Sequence, residues 1–138
     1  MTLMHAQNLV VIVSVLSLAV YFYTGLRVGG ARGRLGVPAP AMSGHPEFDR
    51  HFRVQMNTLE GIVIYLPALW MFAHYWNGIV AAVLGVIWII GRLIYMTSYV
   101  RDPASRSAGF GVTALAMMVL LIGSLAGAIW SIVQTHAL

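Results

Sequence analysis

The chain has 138 residues, 59% of them hydrophobic and 9% charged, and its mean hydropathy is +0.82; soluble domains carry about 25% charged residues, so this is the composition of an integral membrane protein. All eight basic residues behind the formal charge of +4 are arginine, scattered without the aromatic interleaving of single-strand binders, which excludes a nucleic-acid tract. There is no cysteine, so disulfides, thiolate metal sites and cysteine nucleophiles are excluded, and any thiol chemistry must use a thiol from outside.

The expected architecture is all-α, a single membrane domain of four transmembrane helices. The first span covers about residues 9–26, LVVIVSVLSLAVYFYTGL. No arginine or lysine precedes it and no small-residue cleavage site closes it, so it reads as a retained helix and not a signal peptide. Residues 27–45, RVGGARGRLGVPAPAMSGH, are rich in Gly and Pro and read as a loop carrying Arg27, Arg32 and Arg34. A second helix is expected over about 46–76, opened by Pro46 with Glu47 and Asp49 at the positive end of its dipole. It would measure about 46 Å at ~1.5 Å per residue against a hydrocarbon core of about 30 Å, so its polar first turns project from the bilayer. Asn77-Gly78 signals a tight turn, and a third span follows over about 78–99, interrupted only by Arg92. After RDPASRS, the last span covers about 108–133 and holds Gly123 and Gly127 at small-xxx-small spacing, read as a packing feature.

Arg27, Arg32, Arg34, Arg50 and Arg53 precede or open the second span, Arg101 and Arg106 lie between the third and fourth, and the other side has no lysine or arginine. The positive-inside rule makes the loaded side cytoplasmic, with both termini on the opposite side.

Two polar stripes end on that loaded side. Arg50, Arg53, Asn57 and Glu60 fall on one face of the second helix, and Arg92, Tyr95 and Tyr99 repeat the spacing in the third. Two readings are open from the stripes alone. Interfacial tyrosines, snorkelling arginines and an Arg53–Glu60 neutralising pair between helices are ordinary at span ends. Glu60 and Arg92, however, lie inside the apolar boundary, where ionisable residues face a partner or a water-filled cavity. A small peptide-like anion suits these groups: arginines for its carboxylates, Glu60 for an ammonium, Asn57 or Gln55 for its amides. Glutathione is such a molecule and brings the missing thiol. The histidines, His5, His45, His51, His74 and His136, lack metal-ligand spacing, so no metal is expected.

The stretches FDRHFRVQMNTLE (48–60) and YMTSYVRDPASRS (95–107) resemble the membrane-associated proteins in eicosanoid and glutathione metabolism, the MAPEG family. The resemblance covers essentially the whole chain. It implies a homotrimer with glutathione held between neighbouring subunits near the cytosolic face. Arg53, Gln55, Asn57, Glu60, Tyr95 and Tyr99 fall on positions that bind glutathione in that family. Arg106 falls on the arginine that stabilises the thiolate, Arg106-Ser107 is similar to a catalytic Arg-Ser pair, and Arg101 matches a further basic position. Of Arg27, Arg32 and Arg34, which compete for the arginine ending helix one, Arg27 ranks first because it directly follows the span. Two departures stand out: Gly61 replaces a tyrosine that contacts glutathione, and Pro67 lies further along helix two than the family's proline.

The function implied is conjugation of the glutathione thiolate to a lipophilic electrophile that arrives from the membrane lipids, with peroxidase activity as a second use of the same thiol. The alternatives are a non-catalytic lipid-binding scaffold and a glutathione-dependent isomerase resembling prostaglandin E synthase. A transporter is disfavoured, because the interrupted helices and inverted repeats of transporters are missing.

Overall fold

The computed structural model describes residues 2–137. Four helices, α1 (Leu3–Leu35), α2 (Pro46–Tyr75), α3 (Gly78–Arg101) and α4 (Ser107–His136), run up and down, with a 3₁₀ turn at Pro103–Ser105 before α4. All four are long and apolar enough to cross a membrane. α2 and α3 form the middle of the bundle: they pack on each other and each packs on both α1 and α4.

The core between them is aromatic and aliphatic, with Val10, Val13, Tyr65, Leu69, Trp88 and Leu120 buried together. Tyr65 stacks flat on Trp88 at 4.1 Å between ring centroids, and its hydroxyl shares a 2.9 Å hydrogen bond with Ser17 Oγ. The outer faces carry exposed Leu, Ile and Val, including Leu16, Leu115, Ile122 and Leu125. Such an apolar surface over an apolar core suits lipid as the surrounding solvent.

The largest difference from the sequence reading lies in residues 27–45. Their first part is not a loop: α1 continues as helix through Gly29, Gly30 and Gly33 to Leu35. Each interior glycine costs a helix about 1 kcal/mol relative to alanine, but tertiary contacts outweigh that cost. Val28 and Ala31 are buried against Val37 and Phe48. Arg32 folds back so that Nη1 donates to the carbonyls of Val37 (3.3 Å) and Ala41 (2.8 Å), with its guanidinium 4.8 Å from the centre of the Phe48 ring. The three glycines face open space. The helix stops at Gly36, whose φ of 67° places it in the left-handed region that glycine enters at little cost.

α1 also begins earlier than the expected residue 9, at Leu3, and the starts of α2 and α3 are explained by their caps. His45 Nδ1 accepts from Glu47 N at 3.1 Å and opens α2 just before Pro46. Asn77 is a helix N-cap as well as a turn residue: its Oδ1 accepts from Ile79 N (2.7 Å) and Val80 N (3.2 Å). α2 stays helical through Pro67. Gly123 and Gly127 serve packing, since an added Cβ would lie 2.5 Å from a Phe72 ring carbon and 2.6 Å from Tyr75 Cβ respectively. Trp76 Nε1 donates to the Gly123 carbonyl at 2.6 Å across the same seam.

Candidate functional site

At the arginine-rich end, α2, α3 and the start of α4 diverge around a cleft of about 590 Å³, lined by Arg53, Asn57, Tyr95, Tyr99, Ala104, Arg106, Ser107 and Phe110. Its floor is set by the α3–α4 connection. Asp102 Oδ1 accepts from Ala104 N at 3.1 Å, while Ser105 Oγ donates to the carbonyls of Ser98 (3.1 Å) and Asp102 (2.7 Å). These bonds clip the turn shut and deliver Arg106 and Ser107 to the rim at the first residues of α4.

Arg53 and Asn57 come from one side of α2, Tyr95 and Tyr99 from α3. The two tyrosine rings stack at 5.5 Å with 19° between planes, and Tyr95 is almost fully buried. Behind them Arg92, 3% exposed, sends Nη1 and Nη2 to Asn57 Oδ1 at 3.0 Å each and Nη2 to Thr58 Oγ1 at 3.0 Å. Its guanidinium lies 4.3 Å from the centre of the Tyr95 ring. The intramembrane charge is thus coordinated by protein groups and stands behind the cleft wall instead of in it.

The expected single face of α2 divides in the structure. Arg50 turns to the end of α3, where Nη1 donates to the carbonyls of Val100 (3.2 Å) and Arg101 (3.5 Å); a cation there complements the negative end of the helix dipole. Glu60 does not line the cleft. It lies 3.6 Å from Arg53, both side chains more than half exposed, so this ion pair forms along one helix and not between two. Gln55 faces α1, with Nε2 3.2 Å from where a Cβ on Gly25 would stand. Arg101 is exposed and outside the lining.

Arg27 lies along α1, its Nη1 3.4 Å from the Tyr23 hydroxyl and its guanidinium 5.8 Å from that ring's centre. Its two competitors are engaged elsewhere: Arg32 in the fold of residues 37–41 and Arg34 with Glu47 at 2.6 Å. One chain therefore brings together Arg53, Asn57, Tyr95, Tyr99, Arg106 and Ser107, but not Arg27, Gln55, Glu60 or Arg101. Ala104 and Phe110 are lining residues that sequence reasoning missed. Phe110 lies three positions beyond Ser107, so its place on the same face of α4 was available from helical spacing.

Chemically the cleft is cationic with an apolar lip. Among the described residues the Arg106 side chain makes no hydrogen bond, leaving its planar fork free. The N-terminus of α4 begins beside it, adding the partial positive charge of unsatisfied backbone N–H groups. Phe110 is half exposed at the same rim. The lining offers two guanidiniums, one amide, two phenols and a hydroxyl, within a cleft of ligand-binding size.

The MAPEG family signature matches residues 10–126. Human microsomal glutathione S-transferase 2 is 40% identical over 111 residues, covering 79% of this chain and 76% of that protein. Bovine leukotriene C4 synthase is 31% identical over 109 residues, covering 79% and 73%. An uncharacterized protein of Synechocystis is 37% identical over 123 residues, covering 89% and 90%.

Proposed function

The chain belongs to the MAPEG family, and we propose that it is a glutathione-dependent membrane transferase that conjugates the glutathione sulfur to a lipophilic electrophile. The observation that carries this reading is the free guanidinium of Arg106 beside Ser107 at the positive end of α4, on a cleft that also holds Arg53 and Asn57. Relatives named as glutathione transferases support it.

Glutathione supplies the thiol nucleophile that a cysteine-free chain lacks. Arg53 and Asn57 hold its peptide portion, and Tyr95 and Tyr99 offer hydroxyl donors. Arg106 stabilises the sulfur as an anion. An unperturbed thiol has a pKa of about 8.5, and a guanidinium in hydrogen-bond reach lowers such a value by about 1–3 units. The thiol proton leaves to solvent, because arginine stays charged and accepts no proton. Phe110 and the apolar faces of the neighbouring helices meet the second substrate, so that the new C–S bond forms at the boundary between cleft and lipid.

Arg27 and Gln55 lie on the α1 side, away from the cleft of their own chain. In a homotrimer they complete the cleft of a neighbouring copy. The site faces the cytoplasm, since every arginine lies at that end of the bundle or, for Arg92, on the way to it.

The test is steady-state conjugation by detergent-purified protein with glutathione and a generic aromatic electrophile, wild type against Arg106→Ala. The variant should lose about 10- to 1000-fold of kcat/KM at neutral pH, with its pH–rate curve displaced upward by about 1–3 units. Turnover at the wild-type rate would reassign the anion-stabilising role, and a wild type that binds no glutathione would remove the proposal. A second reading, glutathione-dependent isomerisation, draws on Ser107 at the rim. It requires Ser107→Ala to abolish turnover of an endoperoxide while sparing conjugation.

A further inference from the structure

Arg92 is absent from the cleft lining yet holds two residues that belong to it. Its two terminal nitrogens both lie 3.0 Å from Asn57 Oδ1, and the guanidinium covers the Tyr95 ring. Arginine has five N–H donors and no acceptor, so the atom that Asn57 turns toward it must be the oxygen. The other contact agrees: Thr58 Oγ1 accepts from Arg92 Nη2 at 3.0 Å and spends its own proton on the Val54 carbonyl at 2.7 Å. Asn57 therefore cannot rotate its amide without placing N–H against N–H.

The consequence falls on the other side of the same side chain. Among the described residues the buried polar side-chain atoms without a partner are Trp88 Nε1 and Arg92 Nε. Asn57 Nδ2 makes no protein hydrogen bond and is not one of them, so it is not fully enclosed, on a residue that lines the cleft. We propose that Arg92 is a positioning residue that fixes the Asn57 amide with its NH₂ group toward the cleft, making this wall a hydrogen-bond donor that selects a carbonyl or carboxylate oxygen of the ligand. Asparagine alone offers both a donor and an acceptor; Arg92 removes the acceptor. The ligand named here, glutathione, rests on the proposed function, whereas the orientation of Asn57 does not.

Two measurements separate these levels. In protein labelled with ¹⁵N-asparagine the side chains of Asn8, Asn57 and Asn77 report. Without ligand, the Asn57 side-chain protons should exchange with water much faster than those of a buried, hydrogen-bonded amide; protection at that level would overturn the orientation. Glutathione should then slow that exchange. Free exchange that glutathione leaves unchanged would sink the glutathione reading and leave the orientation standing.

The second measurement is glutathione affinity beside the melting temperature. Arg92→Lys, still a pure donor, should bind within about threefold of wild type, whereas Arg92→Gln, which can donate or accept, should bind about five- to tenfold more weakly. The Asn57→Ala/Arg92→Gln double variant should bind no worse than Asn57→Ala alone, because Arg92 acts through Asn57. Additive losses, or wild-type affinity in a folded Arg92→Gln, would overturn the proposal. Asn57→Asp gives an answer even where Arg92→Gln fails to fold. It keeps an acceptor for Arg92 and turns an oxygen outward, so the melting temperature should hold or rise while affinity falls more than about tenfold. Unchanged affinity in that variant would refute a donor-only wall.

Discussion

Gly109 and Gly111 sit in the opening turns of α4, and alanine at the two positions should have opposite effects. A Cβ on Gly109 would stand 2.7 Å from Tyr95 Cα and 2.9 Å from the Gly91 carbonyl oxygen, and closer still to Tyr95 N, while one on Gly111 meets nothing within 4 Å. Carbon contacts become comfortable only near 3.5 Å, so Gly109→Ala must drive the start of α4 from α3 by about 1 Å. Backbone cannot swing aside as a side chain can, so overpacking should cost about 1–3 kcal/mol. Arg106 and Ser107 lie one turn before Gly109 and move with it. A displacement of about 1 Å in a catalytic group lowers turnover by up to about 10²-fold. Gly111→Ala should instead stabilise α4 by up to about 1 kcal/mol through helix propensity and keep kcat within about twofold. The assay pairs thermal melting in detergent with steady-state conjugation for both variants. If Gly109→Ala melted and turned over like wild type, the close approach of α3 and α4 would not be what holds Arg106 at the cleft.

Glu60→Gln removes the exposed carboxylate 3.6 Å from Arg53. Stability should change by less than about 1 kcal/mol, so a clear fall in glutathione affinity by calorimetry would assign Glu60 to the ligand's ammonium, and unchanged affinity would remove it from the site. Arg106→Ala and Gln55→Ala subunits should each be poorly active alone, yet co-assembled they should recover activity, because in the proposed homotrimer the two residues reach one site from different copies; absence of recovery would place both in one chain's site. Asn77→Ala deletes the oxygen that accepts from Ile79 N and Val80 N and should lower stability by about 0.5–2 kcal/mol in a melt while KM for glutathione stays unchanged.

Hydropathy was enough to place the four helices, because a membrane demands long apolar runs whatever the fold. Residues 27–35 misled for the opposite reason: local glycine content predicts a loop, and the contacts that override it come from Phe48 and from carbonyls at Val37 and Ala41. Spacing on α2 identified which Cα positions share a side, but long side chains choose their own destinations. Arg50 swings to the end of α3, whereas Arg53 reaches the cleft. That Tyr95 and Tyr99 share one side of α3 was legible through the stripe, and Arg106 and Ser107 were singled out through the family pattern. The bond from Arg92 to Asn57 was not, since it depends on the register between two helices, which neither helix's own sequence encodes.

The partners of Arg92 also bear on how the chain enters the bilayer. An arginine at the middle of a membrane helix costs about 2.5–3.5 kcal/mol on the insertion scale. Asn57 and Thr58, which coordinate it, belong to the helix synthesised immediately before, joined by only Trp76 and Asn77. When α3 leaves the ribosome its hydrogen-bonding partners are already made and tethered alongside, so the two segments can partition into lipid as one hairpin with protein oxygens solvating the guanidinium. The same guanidinium that orients a ligand-facing amide in the finished protein thereby gives α2 and α3 a reason to be inserted together.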